Sequence, residues 1–396
     1  MKKIMILGAG ILQLPAIIQA KKMGLQTFAV DIDRDAVGFA HADVCLPVST
    51  TDIPYVVEEA KRCKLDGIMT LASDMPIRTV AAVSKALDIP GISEETALNA
   101  TNKARMRECL KAHRVPIPEF VSADSYEDYL LAIHRLGGNC IVKPVDNSGS
   151  RGVIFVGNQS DKNDVDHAFC YSKKNSKSGQ IIIEEYMSGP EISVETLSVD
   201  GVVHIIAVTD KLTSGVPEFV EMGHSQPTCI SDGETIRSTA AAAAKAIGVK
   251  EGPAHIEMII TNEGPKVVEI GARLGGDHIT TELVPLSTGI DMVGCCIQLA
   301  LGRRPDFEKK YDKGAAIRYF DVPAGKIRGI DGMKESKAMP GVKQINLSKG
   351  IGDTVGEVCD STDRIGYVIA GGRDADEAVT VCETVLRKVK FKMEQL

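Results

Sequence analysis

The 396-residue chain has no tryptophan, and aromatic residues make up only 4% of it. No apolar run approaches the ~20 residues that a helix needs to cross a bilayer, so no membrane span is predicted. Positive charge is not in excess, because the formal net charge is −7, and this argues against a dedicated nucleic-acid binder. The ten cysteines lack the CxxC and Cys/His spacings of zinc sites. The cysteines are therefore predicted to be reduced thiols of a cytoplasmic protein, and a disulfide framework is not expected.

The composition is that of an ordinary globular protein, with 44% hydrophobic and 25% charged residues. The length predicts two to four domains. Residues 1–100 alternate short apolar strands with helices, which predicts a doubly wound parallel sheet. The basic and apolar start, MKKIMILGAGILQLP, is interpreted as strand, turn and helix and not as a cleaved signal. The predicted strands are Lys3–Leu7, Gln26–Val30 and Gly67–Leu71, and the predicted helices are Leu12–Met23 and Ile53–Cys63.

The remainder of the chain changes character after a predicted helix near residue 101, where prolines 116 and 118 indicate a boundary. Residues 121–183 are predicted to form a small α/β unit, and their polar run YSKKNSKSGQ is expected to be a mobile surface loop. Strand patterns follow up to residue 270, with helices over 236–247 and 290–301. Residues 310–396 show antiparallel strand patterns and a final amphipathic helix over Asp374–Lys388.

Two glutamates are the most informative feature of the sequence. Glu257 and Glu269 lie in strand-like segments, His255–Ile260 and Lys266–Ile270, on either side of the turn sequence TNEGP. A hairpin centred on Glu263 would place the two carboxylates directly cross-strand, with Cβ atoms about 5 Å apart. Facing like charges are destabilising unless they are neutralised, and Mg²⁺ accepts oxygen ligands of this kind. The alternative is two solvated glutamates on an exposed hairpin.

A glycine turn near the N-terminus imitates part of a dinucleotide-binding fingerprint. Gly8 and Gly10 precede the acids Asp31 and Asp33, but the third glycine position holds Gln13. The signal for NAD binding is therefore weak, and a structural or substrate-facing turn is the preferred interpretation.

Two further segments contain residue types suited to nucleotide binding. In IVKPVDNSGSRGV a strand carries Lys143 into a Gly/Ser turn whose backbone N–H groups can surround an anion. In IIIEEYMSGPEISVE a strand ends at Glu184–Met187, where backbone groups can read an adenine edge and Glu191 can accept ribose hydroxyls. The alternatives are a polar hairpin and solvated glutamates in a strand–turn–strand unit.

Taken together and in this order, these segments resemble the ATP-grasp superfamily over nearly the whole chain. The resemblance implies an α/β fold in which an ATP-grasp fold is preceded by a doubly wound pre-ATP-grasp domain. Residues 1–100 would form that domain, 101–310 the ATP-grasp domain with a lid subdomain at about 121–183, and 311–396 an α+β C-terminal portion.

The resemblance also implies roles for individual residues, with ATP and Mg²⁺ (Mn²⁺ as an alternative) as cofactors. The phosphates would be contacted by two lysines, Lys103 and Lys143, and by Ser148, Gly149 and Ser150 of the glycine-rich loop Asn147–Gly152. Adenine would be held by the interlobe residues Glu184, Glu185, Tyr186 and Met187, and ribose by Glu191. The metal would be bound by Glu257 and Glu269.

One departure from the family pattern concerns the second metal. The family has Asn two residues after the second metal glutamate, whereas this chain has Gly271. A glycine side chain cannot coordinate a metal, so either water or another residue replaces that ligand, or the second magnesium binds more weakly.

The acceptor side is read from ARLGGDH and from TDKLTSGVPEFVEMGHSQP. Arg273 matches the family arginine beside the transferred phosphate, which suits a permanently charged, forked donor; the alternative is a salt bridge to a neighbouring acid. Gly275 and Gly276 would admit close approach of a substrate carboxylate. His224 could orient a carboxylate or accept an amine proton, or be purely structural. Weaker candidates for substrate contact are Lys211 and Glu221.

The implied activity is ATP-dependent ligation of a carboxylate to an amine, or to a thiol, through an acyl phosphate. Within the superfamily the motifs GAGILQLP, EMGHSQP and EIGARLGGDH resemble L-amino acid (dipeptide) ligases. The alternatives are a carboxylase that activates bicarbonate, a nucleotide-binding module without turnover, and an oxidoreductase. The expected partners are small-molecule carboxylate and amine substrates, with no nucleic acid and no membrane. Family members are frequently dimers, so a homodimer is one expectation.

Overall fold

The computed structural model describes residues 1–147, 149–157, 161–216 and 219–395. Its N-terminal unit is a four-stranded parallel sheet in the order β3-β2-β1-β4. The predicted parallel sheet is therefore confirmed, and its helices agree with the predicted ones to within two residues. The elements are β1 Lys3–Leu7, α1 Leu14–Lys22, β2 Gln26–Val30, β3 Val44–Leu46, α2 Ile53–Cys63, β4 Gly67–Thr70, α3 Ile77–Leu87 and α4 Glu94–Thr101.

The segment around residues 121–183 forms a four-stranded antiparallel sheet in the order β5-β8-β6-β7, with two helices packed against it. The run YSKKNSKSGQ is not wholly a loop, because its first four residues belong to the second of these helices. Asp146 then accepts hydrogen bonds from the backbone N–H groups of Lys177 and Ser178. The elements are α5 Lys103–Ala112, β5 Phe120–Ala123, α6 Tyr126–Leu136, β6 Cys140–Pro144, β7 Ile154–Val156, α7 Lys162–Lys174 and β8 Ile181–Glu185.

The largest sheet has eight strands in the order β13-β12-β9-β10-β11-β14-β18-β16, and its neighbouring strands all pair in antiparallel fashion. The predicted domain boundary near residue 310 falls inside this sheet, since strands from both sides of the boundary pair within it. The first elements are β9 Glu191–Val199, β10 Val202–Thr213, β11 Glu221–Gln226, α8 Gly233–Ile247, β12 Gly252–Thr261, β13 Gly264–Gly271, α9 Val284–Thr288 and α10 Met292–Ala300.

The C-terminal portion adds strands to the large sheet and forms a small sheet of its own, in the order β17-β15-β19. The predicted final helix is confirmed, and Asp374 caps it by accepting a hydrogen bond from the Glu377 backbone N–H. The elements are β14 Gly314–Tyr319, β15 Gly325–Asp331, α11 Met333–Lys337, β16 Val342–Leu347, β17 Thr354–Val355, β18 Gly366–Gly372, α12 Ala375–Lys388 and β19 Lys390–Glu394.

One hydrophobic cluster joins the N-terminal unit to the large sheet, since Ile4, Leu274, Cys296 and Ile369 all belong to it. Burial of this shared apolar surface is the main force that holds the units together. No single described helix is long and apolar enough to cross a membrane, and one bent pair, Ile279–Thr288 with Met292–Ala300, passes that test by length and composition only.

Candidate nucleotide and acceptor site

The site is centred on the hairpin of β12 and β13, where Glu257 and Glu269 are direct cross-strand partners. The predicted pairing is confirmed, but the geometry behind it differs from the prediction. The register shows a tight turn, with Thr261 opposite Gly264, followed by a β-bulge between the pairs Met258–Val267 and Glu257–Glu269. The bulge shifts the register by one residue, and Glu257 thereby comes to face Glu269.

Two lysines neutralise this pair of carboxylates. Lys103 Nζ donates to Glu269 Oε1 at 2.7 Å, and Lys211 Nζ donates to Glu257 Oε2 at 3.2 Å. Burial alone would raise the pKa of Glu257, but the charges of Lys211 and His255 hold it well below its usual value. Glu257 is thus ionised and available as an oxygen ligand.

A second ion cluster surrounds the other predicted phosphate lysine. Lys143 and Arg107 clasp the carboxylate of Glu184 from two sides, each at 2.7 Å. Burial would raise the pKa of Glu184, but these two cations lower it to about 2. Burial in turn lowers the pKa of Lys143, and the carboxylate of Glu184 opposes that effect. Because the Glu184 carboxylate is 3% exposed, the contact predicted between this residue and adenine would have to use its backbone.

The glycine-rich loop lies next to these lysines. Gly149 and Ser150 both have positive φ, 66° and 57°, so the chain makes a sharp left-handed turn here. Asn147 is connected to the site because its carbonyl accepts a hydrogen bond of 2.8 Å from Lys103 Nζ. Ser148, predicted as a phosphate contact, lies outside the described residues.

The interlobe segment continues from β8. Glu185 forms an ion pair of 2.8 Å with Lys266 on β13, and the Tyr186 ring packs edge-on against Phe155 of the lid at 5.0 Å. Met187 is half-buried. These residues connect the lid to the hairpin. The resemblance to the family predicts that adenine binds to this interlobe segment.

Three carboxylates converge on one buried ammonium. Lys211 lies 3.2 Å from Glu257, 3.3 Å from Glu221 and 3.5 Å from Glu191. Burial would lower the pKa of Lys211, but the three carboxylates raise it well above its usual value. The residues predicted for ribose, substrate and metal are therefore brought together, and their negative charge exceeds the single positive charge among them.

A buried histidine that was not predicted as a site residue, His255, completes this part of the site. His255 Nδ1 lies 2.5 Å from Glu195 Oε1, and its Nε2 lies 3.3 Å from Glu257 Oε1. Burial would lower the pKa of His255, but Glu195 and Glu257 raise it to about 9. A Cβ on Gly275 would come within 2.7 Å of both Glu195 and His255. The close approach that Gly275 permits is therefore that of this internal pair, whereas Gly276 makes no tight contact of this kind.

Arg273 forms a bidentate ion pair with Asp74 from the N-terminal unit, with Nε–Oδ1 and Nη2–Oδ2 distances of 2.8 and 2.9 Å. The salt bridge considered as the alternative for Arg273 is thus present. The carboxylate partner comes from the loop between β4 and α3, so the pair joins two units of the fold. Arg273 is still close enough to the hairpin that the charges of Glu257 and Glu269 act on it.

His224 is buried and contacts Asp277, with Nε2 3.4 Å from Oδ2. Asp277 is also bound in bidentate fashion by Arg364 of the C-terminal portion, at 2.7 and 2.8 Å. Ser361 of the same loop donates to Glu221 at 2.5 Å. The C-terminal portion therefore supplies one wall of the predicted acceptor side.

The N-terminal glycine turn is filled by its own chain. A Cβ on Gly8 would come within 2.8 Å of the Gln13 side chain, and Gln13 Nε2 donates to the Leu71 carbonyl at 2.7 Å. Asp31 accepts a hydrogen bond from the Ala9 N–H. This arrangement supports the structural interpretation of the turn.

Comparison with known proteins identifies two domains. Residues 136–282 match the ATP-grasp domain family, and residues 318–394 match L-amino acid ligase C-terminal domain 2. The chain contains an ATP-grasp domain followed by an L-amino acid ligase C-terminal domain.

Individual proteins agree with this assignment. The chain is 27% identical over 287 residues to the L-arginine-specific L-amino acid ligase of Bacillus subtilis, covering 68% of this chain and 66% of the relative. It is 22% identical over 422 residues to the phosphoribosylamine–glycine ligase of Methanococcus maripaludis, covering 98% and 94%. The crystal structure of an L-amino acid ligase from Bacillus licheniformis superposes with a TM-score of 0.86 at 24% identity, covering 100% and 99%. The predicted ATP-grasp fold is confirmed.

The donor set fits magnesium held jointly by protein and nucleotide. No group of three or more His, Cys, Asp or Glu side chains suited to a metal occurs in the described parts of the chain. Mg²⁺ is commonly bound by one or two carboxylates together with substrate phosphates, and Glu257 and Glu269 supply two. Gly271 adds no ligand, which leaves the predicted weakness of a second metal as an expectation.

Several residues of the site were not predicted from the sequence. His255 and Glu195 left a detectable signal, because each lies two or four residues from a predicted site residue on the same strand and therefore faces the same side of the sheet. Arg107 lies four residues after Lys103 on α5, which places both on one helix face. Asp74 and Arg364 left no local signal, since they reach the site through tertiary contacts alone.

Proposed function

We propose that this chain is an ATP-dependent ligase that activates a carboxylate, that of an amino acid, as an acyl phosphate for attack by an amine. The observation that carries the proposal is the arrangement on one sheet face. Glu257 and Glu269 lie between the phosphate-side lysines and the acceptor-side cluster of Lys211, Glu221 and His224. A γ-phosphate held by the first group would therefore lie beside a carboxylate held by the second.

In the first step a substrate carboxylate oxygen attacks the γ-phosphorus, and the bond from that phosphorus to the β–γ bridging oxygen breaks. ADP leaves and an acyl phosphate forms. Lys103 and Lys143 oppose the phosphate charge, and positioning with electrostatics supplies most of the acceleration. Mg²⁺ held by Glu257 and Glu269 would supply further neutralisation of the phosphate oxygens.

In the second step the amine nitrogen attacks the acyl carbon, and the bond from that carbon to the phosphate oxygen breaks. Inorganic phosphate leaves, and the attacking amine loses one proton. His224, which lies next to Asp277, would take this proton. Arg273 would bind the acyl phosphate after exchanging one of its contacts with Asp74, and closure of the lid would keep water from hydrolysing that intermediate.

The excess of carboxylates around Lys211 favours a substrate that carries an ammonium group, as an amino acid does. The match of residues 318–394 to the C-terminal domain of L-amino acid ligases also favours ligation over activation of bicarbonate. A cytoplasmic location and a homodimer stay predictions.

The test is a phosphate-release screen across pairs of amino acids, with ADP and AMP distinguished and with Glu269→Gln as the inactive reference. Release of ADP and phosphate that depends on two added amino acids supports the proposal. Release that depends on bicarbonate would show a carboxylase. Tight ATP binding without turnover would show a nucleotide-binding module, and consumption of NAD(P)H would show an oxidoreductase.

A further inference from the structure

The bulge in β13 decides which side of the sheet Glu269 faces. Beyond the turn, Met258 pairs with Val267, and both are buried in the core. Because side chains alternate along a strand, Glu269 would share the core face with Val267 if the ladder ran on without interruption. The register shift places one extra residue, Val268, in β13. Glu269 is thereby turned to the face that carries Glu257.

The extra residue leaves its carbonyl outside the regular ladder, and a bulged residue loses its normal backbone partner in this way. Arg107 supplies the missing partner, because its Nη2 donates to the Val268 carbonyl oxygen at 2.6 Å. Arg107 is only 1% exposed, so water does not compete for the bond. Lys103, one helical turn earlier on α5, bonds the neighbouring residue Glu269. Helix α5 therefore holds two successive positions of the bulged strand.

The same guanidinium also supports the phosphate-side lysine. Arg107 Nε donates to Glu184 Oε1 at 2.7 Å, and Glu184 Oε2 accepts from Lys143 at 2.7 Å. A fork with several donors in fixed geometry can make both contacts together, whereas the single ammonium of lysine cannot span them. One residue is thus connected to the carboxylate pair and to Lys143.

We propose that Arg107 is a positioning residue that fixes the bulge at Val268 and so keeps Glu269 opposite Glu257 in the metal-binding arrangement. The inference deepens the proposed function, and rests on it in taking these two glutamates as ligands of the nucleotide-bound cation. Arg107 itself acts through the Val268 carbonyl and through Glu184.

The test measures binding and not turnover. ATP affinity is measured by calorimetry with and without Mg²⁺, in the absence of amino acids, for the wild-type chain and for Arg107→Met and Arg107→Lys. The matched control is Arg105→Met, since Arg105 is exposed on the same helix. The ATP affinity with Mg²⁺ divided by the ATP affinity without Mg²⁺ isolates the metal contribution, because a general loss of structure lowers both affinities alike.

The ratio should fall about 10-fold or more in Arg107→Met, as happens when residues that orient metal ligands are removed. It should stay at the wild-type value in Arg105→Met. Arg107→Lys keeps the buried charge beside Glu184 and is the variant to use if Arg107→Met does not fold; its ratio should fall as well, because one ammonium cannot hold both partners.

An unchanged ratio in a folded Arg107→Met or Arg107→Lys variant would overturn the inference, as would the absence of any Mg²⁺ effect in the wild-type chain. Failure of the proposed function looks different. In that case the wild-type chain and the variants show the predicted ratios, but no pair of amino acids gives ADP in the release screen.

Discussion

Asp74 occupies space that a side chain at Gly271 would need, since a Cβ at residue 271 would lie 2.8 Å from Asp74 Oδ1 and 3.2 Å from Arg273 Cζ. Gly271 therefore leaves free the space that the Asp74 carboxylate occupies in its ion pair with Arg273. The lack of a side chain at residue 271 thus permits the ion pair that joins the N-terminal unit to the large sheet.

Substitution Gly271→Ala should lower the free energy of unfolding by about 1–3 kcal/mol, the usual cost of forcing a side chain into a packed site. The added methyl would push against Asp74, whose carboxylate is held in place by two hydrogen bonds. Chemical denaturation measures the change. The same substitution made in an Asp74→Gly background should cost little relative to Asp74→Gly alone, because the obstructing carboxylate is then gone. An equal cost of Gly271→Ala in both backgrounds would show that Asp74 is not the obstacle.

Breaking the Asp74–Arg273 pair from one side should cost about 3–5 kcal/mol, because a largely buried charge is left without its partner. Asp74→Asn and Arg273→Gln should each show this loss in denaturation experiments. The double variant should be less destabilised than the sum of the two, since neither buried charge then remains. Strict additivity in this double-mutant cycle would contradict the coupling.

Substitution Glu269→Gln should abolish formation of ADP while leaving the fold intact. The amide keeps the shape of the side chain but removes one of the two anionic ligands, which is worth several kcal/mol and thus about 100-fold or more in rate. ADP release is the measurement, with circular dichroism as the check on folding. Glu263→Gln in the turn of the same hairpin is the control and should keep wild-type activity. Near-normal ADP release by Glu269→Gln would remove this residue from the site.

Substitution Lys143→Ala should mainly raise the ATP concentration needed for half-maximal turnover, by about 10-fold. The substitution would remove a charge-assisted contact between Lys143 and a phosphate oxygen, worth roughly 1.5–3 kcal/mol. Glu184 keeps Arg107 as a partner, so the fold should be retained. Lys162→Ala, an exposed position at the start of α7, is the comparison. ATP dependence equal to that of Lys162→Ala would exclude Lys143 from the phosphate site.

Stability should decrease between pH 6.5 and about 9 because of His255. Its pKa is raised to about 9 by Glu195 and Glu257 against the opposing effect of burial. The unfolded chain releases this proton near pH 6.5, so the contribution is fully present below that pH and is lost as the pH rises through the folded value. It amounts to on the order of 3 kcal/mol.

Denaturation of the wild-type chain and of His255→Gln across this pH range measures the contribution. The variant should show a flatter dependence of unfolding free energy on pH. His41→Gln, at an exposed position, should follow the wild-type curve. The assignment to His255 fails if all three curves have the same slope.

Local patterns in the sequence predicted most of the secondary structure. The alternation in residues 1–100 predicted the parallel sheet, and the apolar segments around TNEGP predicted the hairpin, because these signals depend on side-chain period and turn chemistry within a few residues. The extent of α7 into the polar run was missed, since polar helix residues and polar loop residues look alike when only one face is buried.

The sequence by itself determined the order of the nucleotide-binding segments, the two lysines and the two glutamates on adjacent strands, because each is set by motifs of a few neighbouring residues. Only the tertiary structure decided which charges meet: Asp74 with Arg273, Arg107 with Glu184 and the Val268 carbonyl, and Arg364 with Asp277. These partners are 77 to 199 residues apart along the chain, and their meeting depends on how whole elements pack. The tertiary structure also decides the sheet face on which Glu269 lies. One bulged residue in β13, which helix α5 contacts, reverses the alternation of side chains that the sequence alone would predict.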